Sequence, residues 1–387
     1  MSPARSRDSE VHDIGTTPAD RVRLAHAAAS AIERVPPVTA SVMRRFAESS
    51  ALAAVVVASI GACELRDAVS VRRVPVAIPA VTTAGAEAPA PDWPPAREPL
   101  ARRLMYEPLE IPLNVGAGGG VSGARRLQLV FPSDGHTVTI KWKISPRHDA
   151  DGWNNSPRKE LAAYVMQQWF LDPEDYVVPT SFVRCIPLAQ YRVFKPDIAP
   201  TIRGTQCVLG FGSVWLEDVF APDPLYEAER FATDPVYATH FADCNLLTYL
   251  IEHRDGRRVN FLATKREEGR RIFTVDNGIT FGALVYDFFV RNWDQIRVPK
   301  LPKRSIDRLR RISATDISAL AVLVEMRADE AGVLRPVRGE SAMNLRRGVR
   351  VARGRVQLGL TAREIDGVAR RLRHLLERVD AGEVPVF

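Results

Sequence analysis

Residues 253–260 read His253-Arg254-Asp255-Gly256-Arg257-Arg258-Val259-Asn260, and a second aspartate follows where an apolar run, Ile272-Phe273-Thr274-Val275, ends in Asp276-Asn277-Gly278. The chemistry available to these residues is specific. An aspartate can accept a hydroxyl proton, and an asparagine amide oxygen and a second carboxylate can hold a hard metal ion. The apolar run predicts a strand that delivers Asp276 into a glycine turn. Each fragment alone is common in an arginine-rich chain, so it is their order that constrains the fold.

The preceding segment supplies matching parts. Leu109 to Val115 predicts a strand, followed by the glycine run from Gly116, in which Gly118-x-Gly120-x-x-Gly123 would let backbone N–H groups approach phosphate oxygens. A plain linker fits that run equally well. Arg126 to Phe131 predicts a second strand, Pro132 to Gly135 a turn, and Thr137 to Ile144 a third strand. In the third strand Val138, Ile140 and Trp142 share one face, and Thr139, Lys141 and Lys143 share the other. Two solvated lysines on an edge strand are the alternative. Ser156 as N-cap with Pro157 in the first turn starts a helix whose buried stripe is Leu161, Tyr164, Val165 and Trp169, with Glu160 as its only early acid.

In this order, the parts resemble the catalytic core of an atypical protein kinase. His253–Asn260 matches the HRDxxxxN catalytic loop, and Asp276-Asn277-Gly278-Ile279-Thr280-Phe281-Gly282 resembles the metal segment of the secretory-pathway Golgi casein kinase family. Leu247-x-x-Leu250-Ile251-x-x-Arg254-Asp255 resembles that family's helix into its catalytic aspartate, and phosphatidylinositol kinases share the plan. The resemblance covers about Leu127 to Gly282. It implies an α+β, two-lobed protein-kinase-like fold with a β-rich N-lobe (about 100–219) and a helical C-lobe (about 220–387). It further implies ATP with Mg²⁺ or Mn²⁺, Asp255 as the catalytic aspartate, and Asp276 and Asn260 as metal ligands. Lys143, preferred to Lys141 because Trp142-Lys143 resembles an aromatic–lysine pair, would hold phosphate with Glu160 as its partner. Gly118, Gly120, Gly123, Lys141 and Glu217 complete the expected nucleotide site, Glu217 within a hinge strand, Gly212 to Val219. An ordinary strand is the alternative there. From ordinary protein kinases the chain departs at Asn277 and in lacking the Ala-Pro-Glu segment; from the Golgi casein kinases it departs at Ile279, where an arginine is expected, and at Asn260, where they place a metal glutamate. The acceptor hydroxyl, on protein, lipid or sugar, therefore does not transfer. An inactive pseudokinase that binds a ligand or partner, and an AMP transferase, remain as alternatives.

The chain has 387 residues, 46% hydrophobic and 26% charged, enough for a packed core, and a formal charge of +7. That balance suits a phosphate-bearing ligand; with no zinc-finger spacing or basic–aromatic block, no nucleic-acid partner is expected. The run Ala51 to Ala62 is twelve residues long, against roughly 20 for a spanning helix. It ends Ile60-Gly61-Ala62-Cys63, which resembles the bacterial lipoprotein box and implies lipidation of Cys63. Met43-Arg44-Arg45 gives the signal a basic start, so residues 1–42 are expected to be an overextended start or disordered, and 43–62 the signal peptide. A buried Ala/Val helix in a cytoplasmic protein is the alternative. Residues 63–99, rich in proline and alanine, predict an extended tether, with the kinase-like domain spanning 100–387. The expected location is that of a membrane-anchored bacterial lipoprotein facing the periplasm or cell surface; because the bacterial periplasm is not expected to hold ATP, the cytoplasmic alternative stays open. Of Cys63, Cys185, Cys207 and Cys244, none forms a CxxC pair, and no disulfide framework is expected. The tail from Ser305 to Val379 reads as a closing helical subdomain with a solvated arginine face.

Overall fold

The computed structural model describes residues 98–387, apart from 119–122, 149, 152–155, 283–292 and 340. The expected signal peptide, Cys63, the tether to residue 97 and Gly120 lie outside the described residues. All described elements belong to one compact unit, Gly85–Phe387. The architecture is mixed α+β, with three antiparallel sheets and eight α-helices among the described residues.

A short helix α1 (Pro99–Tyr106) opens the described chain, one residue ahead of the expected domain start. The strands β1 (Glu110–Gly116), β2 (Arg125–Val130) and β3 (Thr137–Ile144) follow within one residue of their sequence limits. Helix α2 (Pro157–Gln167), β4 (Ser181–Pro187), the single turn α3 (Leu188–Tyr191) and β5 (Cys207–Val214) complete a five-stranded sheet in the order β1-β2-β3-β5-β4. β3 therefore lies between two neighbours, with Lys141 opposite Ser213 and Lys143 opposite Phe211, and is not an edge strand. Trp142 packs into the space above Gly210, where a Cβ would stand 2.3 Å from the indole; glycine is required there for β3 and β5 to pair.

The predicted amphipathic stripe on α2 is corrected: every residue from Pro157 to Gln167 is buried, Arg158, Lys159 and Glu160 included, and Trp169 lies beyond the helix, half-buried. The helix is covered by the sheet on one side and by later elements on the other, so its polar first turn needs buried partners. Ser156 stands at the N-cap position, but its hydroxyl donates to Asp151 at 2.6 Å and caps no backbone amide.

A second, three-stranded sheet is formed by β6 (Val219–Phe220), β7 (Phe261–Thr264) and β8 (Ile272–Thr274). Before β7 come α4 (Ala228–Thr233) and the largely buried α5 (Pro235–Leu250), capped by Asp234 with Pro235 in its first turn. After β8 come α6 (Lys303–Leu309) and α7 (Ala314–Ala319).

The tail is helical only in part: α6, α7 and the helix expected from Ala362 are present, but a sheet lies between α7 and that helix. The sheet is four-stranded and antiparallel, in the order β10-β9-β12-β11: β9 (Val324–Ala328), β10 (Leu334–Val337), β11 (Val349–Ala352) and β12 (Arg355–Leu358). Only then comes α8 (Ala362–Asp380), started by a Thr361–Glu364 capping box. Strands of four or five residues are too short for their alternation to stand apart from helical spacing, and one of their arginines, Arg350, is buried and donates to Ala321 O and Leu360 O.

The expectation of no disulfide is also corrected. Cys185 and Cys207 are joined across β4 and β5, with Cα atoms 5.4 Å apart, because the antiparallel register brings Pro187 opposite Cys207 two residues beyond Cys185. Cys244 is free and buried in α5.

Candidate functional site

Lys143 is almost wholly enclosed, on a strand that pairs it with Phe211 of β5. Its ammonium donates to Glu160 Oε1 at 2.8 Å and lies 2.7 Å from Asp276 Oδ1. Burial works against its charge, yet Glu160 and Asp276 together hold its pKa above the ordinary lysine range. Lys141, one pleat earlier, reaches the same Asp276 oxygen at 2.5 Å. Burial opposes the charge of Asp276, but the two ammoniums keep its carboxyl below the usual range. The other Glu160 oxygen accepts the Asn277 backbone N–H at 2.8 Å, so this one carboxylate ties the strand lysine to the metal-type turn. The structure thus brings Lys141, Lys143, Glu160 and Asp276 into one cluster from three separate stretches of sequence.

The loop after α5 stands beside it. The helix ends in a Schellman arrangement: Glu252 N donates to Tyr249 O, His253 N donates to Thr248 O, and Glu252 has φ +52°. Glycine normally takes that left-handed position, and a side chain there costs about 1 kcal/mol. Glu252 offsets this by pairing with Arg254 and, at 2.8 Å, with Arg371 of α8, which also donates to Leu250 O at 2.8 Å. Asp276 and Phe281 are left-handed as well (φ +59° and +54°), so three of the six described non-glycine residues with positive φ lie in these two loops. Such strain gathers where surrounding contacts over-determine the backbone, as at functional sites. The loops are stitched together by Arg254 N to Ile279 O (3.1 Å) and Phe281 N to Ile251 O (2.7 Å).

Asp255 is buried, and its carboxylate takes both a 2.6 Å and a 2.8 Å bond from Arg257. Asn260 donates from Nδ2 to Asp255 O at 2.7 Å, and its backbone carbonyl accepts Val275 N at 2.9 Å, placing it between the two aspartate-bearing segments. Its Oδ1 and Asp276 Oδ2 carry no protein hydrogen bond among the described residues. An amide oxygen and a carboxylate oxygen are donors of the kind Mg²⁺ or Mn²⁺ accepts, so the chemistry of this pair fits such an ion. Among the described residues there is no group of three or more His, Cys, Asp and Glu able to hold a metal.

His253 is fully buried with both ring nitrogens unpartnered, and burial pushes its pKa down to about 4, against the opposing pull of Asp255 and Asp276. A histidine that titrates near 6.5 when unfolded and near 4 when folded adds stability above pH 6.5 that is lost as pH falls towards 4. Urea unfolding at pH 7 and pH 4.5 should show the wild type losing roughly 2–3 kcal/mol more than His253→Leu over that interval. Equal losses would mean His253 is not held neutral.

Gly118 and Gly123, both with positive φ, flank the tip of the β1–β2 hairpin. Glu217 lies in the connection from β5 to β6, its side chain exposed and 3.4 Å from Arg126. Leu216 and Glu217 have no backbone hydrogen-bond partner among the described residues. A cavity of about 530 Å³ lined by Trp169, Arg311 and Leu323, and one of about 290 Å³ beside His240, lie apart from the lysine–carboxylate cluster. The polar constellation, not cavity size, marks the site.

No family model and no curated protein matches this chain. Function has to be read from its own side chains. Sequence reasoning missed Glu252, Arg158 and Arg371. Arg158 donates to Asp151 (2.7 Å) and Glu364 (2.6 Å), so α8 grips the Glu160 helix with Glu364 and the Asp255 loop with Arg371. The capping box Thr361-x-x-Glu364 marked the start of that helix; nothing in the sequence marked its partners.

Proposed function

We propose that this chain is an ATP-dependent phosphotransferase with a two-lobed, protein-kinase-like arrangement. The five-stranded sheet with α2 would be the N-lobe, and α5 with the elements around it the core of the C-lobe. The observation that carries the reading is the buried Lys143–Glu160 pair sharing its ammonium with Asp276. Two opposite charges enclosed at this depth contribute little net stability against an apolar pair of the same volume, so retaining them suggests a chemical use. Lys143 would bind the α- and β-phosphates, held in place by Glu160. The unpaired backbone of Leu216 and Glu217 would meet adenine. Asp276 Oδ2 and Asn260 Oδ1 would hold Mg²⁺ or Mn²⁺, which supplies charge neutralisation between the phosphates. Asp255 would orient the acceptor hydroxyl and take its proton once Arg257 yields one of the carboxylate oxygens. The acceptor class stays open among protein, lipid and sugar. An anchor at Cys63 outside the cytoplasm agrees with the Cys185–Cys207 disulfide, since such bonds persist in oxidising compartments.

The test is the full-length protein with Mg²⁺ or Mn²⁺ and ATP labelled at the γ-phosphate, beside Asp276→Ala. Label on protein or released as phosphate, reduced at least a hundredfold in the variant, is the expected result. No turnover together with no thermal shift from metal and nucleotide overturns the reading. A second reading is favoured by one feature: Asp255 is closed by Arg257, and Asp276 by two lysines. A non-catalytic nucleotide-binding module has that appearance, and it would bind metal and nucleotide without turning over.

A further inference from the structure

Two lysines on one carboxylate oxygen are one more than a phosphate-binding pair requires. We propose that Lys141 is a tethered cation standing in for the divalent metal on Asp276, so that metal and nucleotide enter the site together and metal alone is held off. The proposal rests on the phosphotransferase reading and adds to it the order in which the ligands bind.

Lys143 and Lys141 are not equivalent. Lys143 has a dedicated partner in Glu160, and its side chain is 3% exposed, so it cannot leave without unfolding its surroundings. The Lys141 side chain is 24% exposed, and Asp276 is its only carboxylate partner among the described residues. It can swing away from Asp276 while the fold stays intact. The strand alternation that aims both lysines to one side makes their sharing of Asp276 Oδ1 a direct product of the sequence spacing.

The charges decide what a metal meets. Two ammoniums against Glu160 and Asp276 leave the cluster neutral, and a divalent ion arriving at the free Asp276 Oδ2 and Asn260 Oδ1 stands a few ångströms from Lys141. Repulsion of a double charge at such a distance, even largely screened by solvent, amounts to at least about a tenfold loss of affinity. A nucleotide reverses the balance. Its phosphates give Lys141 a new anionic partner, Asp276 is released to the metal, and each ligand tightens the other by the same factor.

The experiment counts free Mn²⁺ by electron paramagnetic resonance in solutions of the full-length protein, first without nucleotide and then with a non-hydrolysable ATP analogue. Without nucleotide, Lys141→Met should bind Mn²⁺ at least tenfold more tightly than wild type, whereas Lys141→Arg, which keeps the tethered charge, should match wild type. The analogue should tighten Mn²⁺ binding more in wild type than in Lys141→Met. Circular dichroism melts verify that each variant is folded. Mn²⁺ bound no more tightly by Lys141→Met, with binding still weakened in Asp276→Asn, overturns the role of Lys141 alone. Absence of Mn²⁺ binding by wild type even with nucleotide, or Asp276→Asn behaving as wild type, overturns that role and the phosphotransferase reading together.

Discussion

Lys143→Met should lower the unfolding free energy by roughly 3–5 kcal/mol and abolish phosphoryl transfer. The stability loss follows from what remains behind. Glu160 is 4% exposed, and without Lys143 its carboxylate keeps only the Asn277 N–H as a partner, an incompletely compensated charge in a place water does not reach. Removing both charges should restore much of the loss, so Lys143→Met/Glu160→Leu is expected to be more stable than Lys143→Met by roughly 2 kcal/mol or more. Activity should recover in neither. Denaturant titration of the four proteins of the cycle measures the coupling, and additive losses would show that the two groups act independently. Turnover in Lys143→Met near the wild-type rate would remove the lysine from the mechanism.

The parts of this site that were legible in the sequence are those whose signals are local. β1 to β3 announced themselves by alternation and turns, and Asp255, Asn260 and Asp276 by their spacing along one short stretch. The kinase resemblance pairs Glu160 with Lys143, as the only early acid on the helix that follows the lysine strand, and the two do meet. What stayed hidden depends on contacts distant in sequence. Arg158 and Lys159 look like an exposed first turn, and are buried because α8, 206 residues beyond Arg158, brings Glu364 to them. Arg371 looks like one more arginine on a solvated helix face, yet it turns inward to Glu252. One hidden element did have a local mark. Arg353 and Gly354, both with positive φ, form the two-residue turn between β11 and β12, and an x-Gly turn between short β-branched runs is a hairpin signal that the arginines on either side obscured.

This dependence on α8 leads to the second large effect. Arg158→Lys should destabilise the protein by roughly 3 kcal/mol, nearly as much as Arg158→Met. The guanidinium is 3% exposed and uses its fork fully: Nε and Nη2 meet Asp151, while Nη1 and Nη2 meet the two Glu364 oxygens at 2.6 and 3.0 Å. An ammonium can hold one of these carboxylates but cannot span both in plane, so charge alone does not rescue the contact. Glu364 is also the capping-box acid of α8, and a Glu364 drawn off its arginine partner would loosen the helix start that keeps Arg371 on the catalytic-type loop. The expected functional signature is a fall in kcat with ATP affinity less affected, because Lys143 keeps Glu160 while the Asp255 loop loses its support from behind. Steady-state kinetics on Arg158→Lys and Arg371→Ala should therefore show the same kcat-weighted loss from substitutions that act on the first turn and on the middle of one helix. Losses in ATP affinity alone, or full stability retained in Arg158→Lys, would show that α8 covers α2 without positioning anything.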